Sequence, residues 1–240
     1  MNDNDPGSSR VIRLRVLHLD THTTDLGDVS AIGVAELDMC GTDAVIGAIR
    51  TEPFDPADRP CTPADFTAAA TWPDQVDVLV AYDLSRVEDV VPADMPGFAC
   101  WIGVGRLLTQ LGHDVIDKGP TGMAIELGQG AGLTMAPTDG TTAARDAVAT
   151  ALLAAHLYPR MDLASMLRFS RAKTKPLWSL PDLHDWSGWA GLPRADLHWL
   201  ADHQEARRLA GLDPDPVISD AVSHRAVVEL NRRRIWARVD

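Results

Sequence analysis

Apolar and polar side chains alternate from Val11 to Leu17, run apolar to Leu19 and stop at Asp20, which predicts a strand entering a sheet. Thr21 to Asp28 is turn-rich. Ala31–Leu37 and Ala44–Ile49 then read as two more strands meeting across Cys40-Gly41-Thr42-Asp43. Three strands joined by short turns make an antiparallel meander. Pro53 to Pro63 is a Pro/Asp-rich loop, Thr62 with Asp65 caps a short helix through Ala70, and Val76–Ala81 is a buried fourth strand. The spacing of Ile102, Val104, Leu107, Leu108 and Leu111 predicts a helix over 97–111, with Gly112 at its C-cap. After a glycine-rich stretch from Gly119 to Gly132, Ala143–Leu157 is the strongest helix, with Asp139, Thr141 and Thr142 offering N-cap oxygens. A meander, a helix, a parallel strand and flanking helices imply an α/β layered fold.

From Pro159 the texture changes. Five of the seven tryptophans (Trp178, Trp186, Trp189, Trp199 and Trp236) lie beyond it among prolines and basic residues. A small helical module is expected there, its tryptophans forming either a core or platforms for base stacking. Arg232-Arg233-Arg234, with Arg225 and Arg238, form a basic end that reads as a solvated helix face or as a phosphate contact.

Composition narrows the classes. At 240 residues, 45% hydrophobic and 23% charged, the chain has material for a sizeable core, which excludes collagen, disulfide miniproteins and disordered tails. No apolar run is long enough to cross a membrane, and the polar, acidic first nine residues hold no signal core, so a cytoplasmic protein is expected. Cys40, Cys61 and Cys100 are widely spaced and form no CxxC pair, so they read as buried thiols. The net charge of −12 opposes non-specific phosphate binding, but it is uneven. Residues 1–150 carry nine basic against 23 acidic side chains, and residues 151–240 carry 13 against 11. Clustered carboxylates in a folded chain make either a solvated face or a site for hard cations.

The local motifs bear on that choice. A hydrophobic strand, then Asp20-Thr21-His22-Thr23-Thr24-Asp25-Leu26, then an Ala-Ile-Gly strand resembles the first motif of the DEDD (DnaQ-like) 3′-to-5′ exonucleases, with His22 where that family has Glu. Thr141-Thr142-Ala143-Ala144-Arg145-Asp146-Ala147 resembles the third motif: Asp146 matches the metal-binding Asp, and Thr141 stands for the general-base His. Leu79 to Glu88 resembles the second motif but places Val87 at its Asp, leaving Asp83 and Glu88 as the nearest carboxylates. Leu167 to Arg171 and Trp189 to Leu200 look like the C-terminal extension of exodeoxyribonuclease X-type enzymes, with the glycine-lysine motif degraded.

This resemblance, from about Val11 to Arg234, implies a ribonuclease H-like exonuclease fold over residues 10–158, a mixed five-stranded sheet with flanking helices, and a helical C-terminal module over 159–240. It implies two Mg²⁺ or Mn²⁺ ions held by Asp20 and Asp146, with Asp83 or Glu88 completing the site, and a single-stranded DNA or RNA 3′ end as substrate, contacted by Thr23, Thr24, Arg232, Arg233 and Arg234. The substitutions weigh against full activity. Imidazole at His22 is a poor Mg²⁺ ligand and adds no negative charge, and Thr141 cannot deprotonate water at neutral pH. Two functions stay open: a weakened metal-dependent exonuclease, or an inactive module that binds nucleic acid or a protein partner. His18, His113 and His156 carry no partner pattern and are expected as ordinary core or surface residues.

Overall fold

The computed structural model describes residues 11–21, 25–40, 43–72, 76, 78–90, 101–115, 118–129, 142–170, 183 and 186–236. The chain divides into two compact units, Met1–Gly105 with Ile116–Pro159, and Arg106–Val115 with Arg160–Asp240.

The first unit is built on five strands: β1 (Ile12–Asp20), β2 (Ala31–Cys40), β3 (Asp43–Pro53), β4 (Val78–Ala81) and β5 (Trp101–Gly103). Their order is β3-β2-β1-β4-β5, antiparallel through the β1–β2–β3 meander and parallel from β1 to β4 to β5. This is the mixed five-stranded sheet with flanking helices that the resemblance implies. Leu17 and Leu19 of β1 and Ile32 and Val34 of β2 form one buried cluster with Phe66, Ala69 and Ala70 of helix α1 (Pro63–Thr71). That face is therefore closed by α1, whose start is fixed by the expected capping box between Thr62 and Asp65. Helix α2 (Leu84–Val90) follows β4 and adds Val87 and Val90 to the same cluster.

The opposite face carries Val16, His18 and Asp20, and on it lies α5 (Thr142–Leu157). Ala143, Ala147, Ala151 and Ala154 are buried along one stripe of this helix, and such small side chains let a helix approach a sheet closely. Gly33 of β2, paired with His18, takes the closest approach: a Cβ added there would sit 2.0 Å from the Ala143 carbonyl oxygen.

Two elements differ from the sequence reading. Residues 97–111 are not one helix, because Trp101–Gly103 joins the sheet as β5 before α3 (Val104–Gln110) begins. Three residues show no period, so a short edge strand merges into the helical pattern behind it. Within the glycine-rich stretch, Pro120 opens a short helix, α4 (Pro120–Glu126).

The second unit contains α6 (Leu163–Ser170), a 3-10 turn over Trp186–Gly191, α7 (Arg194–Leu209) and α8 (Asp220–Trp236). Its core joins Trp189, Trp199, Leu197, Leu200, Ile218, Val222 and Ala226. Trp189 and Trp199 are thus core residues, each 1% exposed, and not platforms for bases. Trp178 lies outside the described residues. Residues 106–115, which the sequence reading kept with the first domain, group with this unit. There the Gln110 amide donates to the Trp199 carbonyl at 2.9 Å and the Arg207 guanidinium to the Leu111 carbonyl. His203, fully buried, lies 3.0 Å from Asp215, whose other oxygen accepts the N–H groups of Val217 and Ile218. Among the described residues no helix is long and apolar enough to cross a membrane.

Two outcomes follow from this packing. Gly33→Ala forces a methyl into backbone that has no room to give, and should cost about 3 kcal/mol in chemical denaturation. Burial holds His203 below its ordinary pKa of 6.5, against the pull of Asp215. Because the unfolded ring takes up its proton first, stability is full above about pH 6.5 and is lost as pH falls from there through the lowered folded value. The denaturation midpoint should drop between pH 7 and 5.5, and the drop should shrink in His203→Gln.

Candidate functional site

The carboxyl ends of β1 and β4 bring together the polar groups of the first unit. Asp20 closes β1, half-buried, with its carbonyl accepting the Ser30 N–H at 2.9 Å and the Ser30 hydroxyl at 3.0 Å. His18 lies two residues earlier and so on the same face of the strand. Continuing the parallel register of Leu17 with Ala81 sets Tyr82 beside His18. From above, the second turn of α5 supplies Asp146. One of its oxygens accepts the Thr121 hydroxyl of α4 at 2.6 Å, and the other lies 3.5 Å from His18 Nε2.

Charge ties this group together. Burial pushes the His18 pKa below its ordinary value. Asp146, Asp20 and Asp83 pull it back up, while Arg86 adds to the lowering, so the ring is neutral at pH 7. Tyr82, with its hydroxyl buried, is pushed well up by that burial and then by Asp83, Asp146 and Glu126. Asp146, Asp20 and Asp83 therefore all act electrostatically on one imidazole, and of them Asp146 stands beside the ring. Asp83 stands outside the end of β4, exposed, and accepts the Arg86 N–H at 3.1 Å as a cap of α2. The Arg86 guanidinium lies 3.9 Å from Asp83 and donates to the Thr21 carbonyl at 3.1 Å.

Val87, at the second-motif acid position, is 4% exposed and packed in the α1-side core, where a carboxylate would be desolvated without a counter-charge. Glu88 lies on α2, its side chain outside the described residues; His22, Thr23, Thr24 and Thr141 also lie outside them. His18 is the residue that sequence reasoning missed. Its signal was present in the strand period, which puts it on the face of Asp20.

The residues described do not fit a centre for two Mg²⁺ or Mn²⁺ ions. Asp146 is engaged by a hydroxyl and approached by an imidazole, a guanidinium stands beside Asp83, and an aliphatic side chain holds the second-motif position. Among the described residues no three His, Cys, Asp or Glu side chains are grouped as metal ligands.

The basic end of α8 is also differently employed. Arg233 donates to the carbonyls of Leu192, Trp189 and Ala190 at 2.7–3.0 Å and to Glu229 at 3.0 Å, closing the 3-10 turn onto the helix. Arg232 forms a two-pronged pair with the same buried carboxylate, at 2.7 and 2.8 Å. Arg232, then Arg233, hold the Glu229 pKa down to about 2. Arg233 is thus a structural residue, while Arg232, paired with Glu229, and Arg234 are exposed.

No family model matches the chain. No curated protein matches it. Among solved structures, exonuclease X in complex with 5′ overhanging duplex DNA is similar at 16% identity, over 65% of this chain and 99% of that one, with a TM-score of 0.40.

The basic trio should separate by role. Arg233→Ala removes four hydrogen bonds and leaves Glu229 half-compensated, and should lower second-unit stability by about 2 kcal/mol or more in urea. Arg234→Ala should stay within about 0.5 kcal/mol of the parent.

Proposed function

We propose that the chain is a DnaQ-like exonuclease relative that has become a binding module, using the ribonuclease H-like scaffold without two-metal phosphodiester hydrolysis. The observation that carries this reading is the environment of Asp146. An acid that serves two cations keeps its oxygens open to them, whereas here Thr121 donates to one oxygen and His18 stands against the other. Val87 removes a further acid, and Arg86 brings a fixed positive charge to the end of β4. Each change supplies from side chains some of the compensation that cations would bring.

The ligand class that goes with this scaffold is a single-stranded DNA or RNA end, with a protein partner as the other occupant. An acidic first unit repels phosphates, so binding of a strand should be weak and should fall as salt rises.

A second reading rests on a different observation: Asp146 lies 3.5 Å from His18 while Asp20 and Asp83 act on the same imidazole, and carboxylates are raw material for a cation site. The two readings part in one assay. A 3′-labelled single strand incubated with the protein and Mn²⁺ or Mg²⁺ should keep its length, while filter binding retains some of it at low salt. Metal-dependent shortening that vanishes in both Asp20→Asn and Asp146→Asn would falsify the binding-module reading and restore hydrolysis.

A further inference from the structure

Strand β3 closes one side of the sheet, and among the described residues no strand lies beyond it. It is long, running over 11 residues, and its central stretch Ala44-Val45-Ile46-Gly47-Ala48-Ile49 carries no charge. Val45 is 63% exposed. Natural edge strands usually hold off further pairing with a lysine, a proline, an inward charge or a bulge in mid-strand, and of these β3 carries only a bulge. Here the only proline is Pro53 at the end, and the charged residues flank the apolar stretch, Asp43 before it and Arg50 after it.

The bulge in this strand gives those two charges their meaning. Side chains alternate along a strand, so residues seven apart should point to opposite faces. Between Ala35 and Leu37 the β2–β3 register shifts, with Ile49 opposite Ala35 but Ile46 opposite Leu37. The extra residue at Gly47–Ala48 reverses the parity. Asp43 pairs with Cys40 and Arg50 with Val34, so both lie on the face that carries Ile32 and Val34. Ala44 and Ile49, paired with Met39 and Ala35, lie on the other.

We propose that β3 is a self-complementary edge, and that its occupant is the β3 strand of a second copy of this chain. The pairing is antiparallel about a two-fold axis at Ile46, which faces Ile46 of the second copy because Gly47 and Ala48 share one ladder position, and makes one continuous ten-stranded sheet. In that register Asp43 of each copy stands opposite Arg50 of the other, Ala44 opposite Ile49, and Val45 opposite Ala48, every pair on matching faces. Closed two-fold symmetry uses the edge up, so assembly stops at two. Arg50 also pairs with Glu52 and stacks over Trp72 at 5.2 Å, which fixes its stem while leaving guanidinium donors for Asp43 of the second copy. Charge complementarity selects the second copy over an unrelated strand, because one sequence supplies both an acid and a base at the mirrored positions.

The test is sedimentation equilibrium of the full chain across a wide concentration range, with circular dichroism confirming that each variant folds. A reversible monomer–dimer equilibrium is expected, reaching twice 26.0 kDa. Val45→Lys at an exposed position should abolish the dimer. Asp43→Arg sets two like-charge pairs across the axis and should weaken it about tenfold, and adding Arg50→Asp should recover most of that loss. A chain that stays monomeric throughout overturns the proposal. So does a dimer indifferent to Val45→Lys, or a double reversal no tighter than Asp43→Arg alone.

Discussion

The first unit depends on how closely α5 can approach the sheet. Gly33 leaves no side chain between β2 and the Ala143 carbonyl, and the alanines that follow along α5 keep the same short distance over β1, β2 and β3. A bulkier residue at either place would lift the first turn of the helix. Asp146 follows directly on that turn, and the residue of β1 paired with Gly33 is His18. Van der Waals contact between two backbones therefore sets the 3.5 Å approach of imidazole and carboxylate.

Once Asp146 is brought there, electrostatics restricts what can surround it. Asp20 and Asp83 already act on the same place, and like charges in a partly buried setting must be compensated or protonated. Bound cations are one solution, and fixed side chains are another. In this chain a hydroxyl from α4, a neutral imidazole from β1 and a guanidinium from α2 are arranged around the acids, and an aliphatic residue replaces a fourth acid. The cost is flexibility of function. A side chain that donates to a carboxylate, as Thr121 does to Asp146, competes with a metal for the same oxygen.

How much of this is legible in the sequence depends on the length scale of each signal. The meander is legible because β1, β2 and β3 each span about ten residues, enough for alternation to register. The start of α1 is legible from Thr62 and Asp65, a local motif with a local mechanism. β5 is hidden because three residues cannot show a period, and α4 because its glycines read as loop until Pro120 is taken as a first helical residue. At the candidate site, Asp20 and Asp146 stand out by motif order, and the structure places both in the field of one imidazole. His18 carries no motif, although strand parity puts it beside Asp20. The role of Arg233 could not be read at all: a run of three arginines looks alike whether it meets solvent or the carbonyls of Trp189, Ala190 and Leu192, some forty residues earlier in the chain.

The second unit shows why charge counting along a sequence misleads. Its near-neutral balance suggests a surface freer to meet polyanions than the acidic first unit. Yet among the described residues five of its arginines are engaged within the unit: Arg232 and Arg233 on Glu229, Arg168 on Asp202 and Glu205, Arg208 on Asp220, and Arg207 on backbone carbonyls. A small unit whose apolar core centres on two tryptophans gains order from such ties, because each guanidinium fixes several acceptors at once in a planar fork. An arginine committed to three carbonyls and a carboxylate keeps its formal charge but has few donors left for a phosphate. What the unit can offer a polyanion is set by the arginines that remain exposed, Arg194 and Arg234 among them, and not by its total of basic residues.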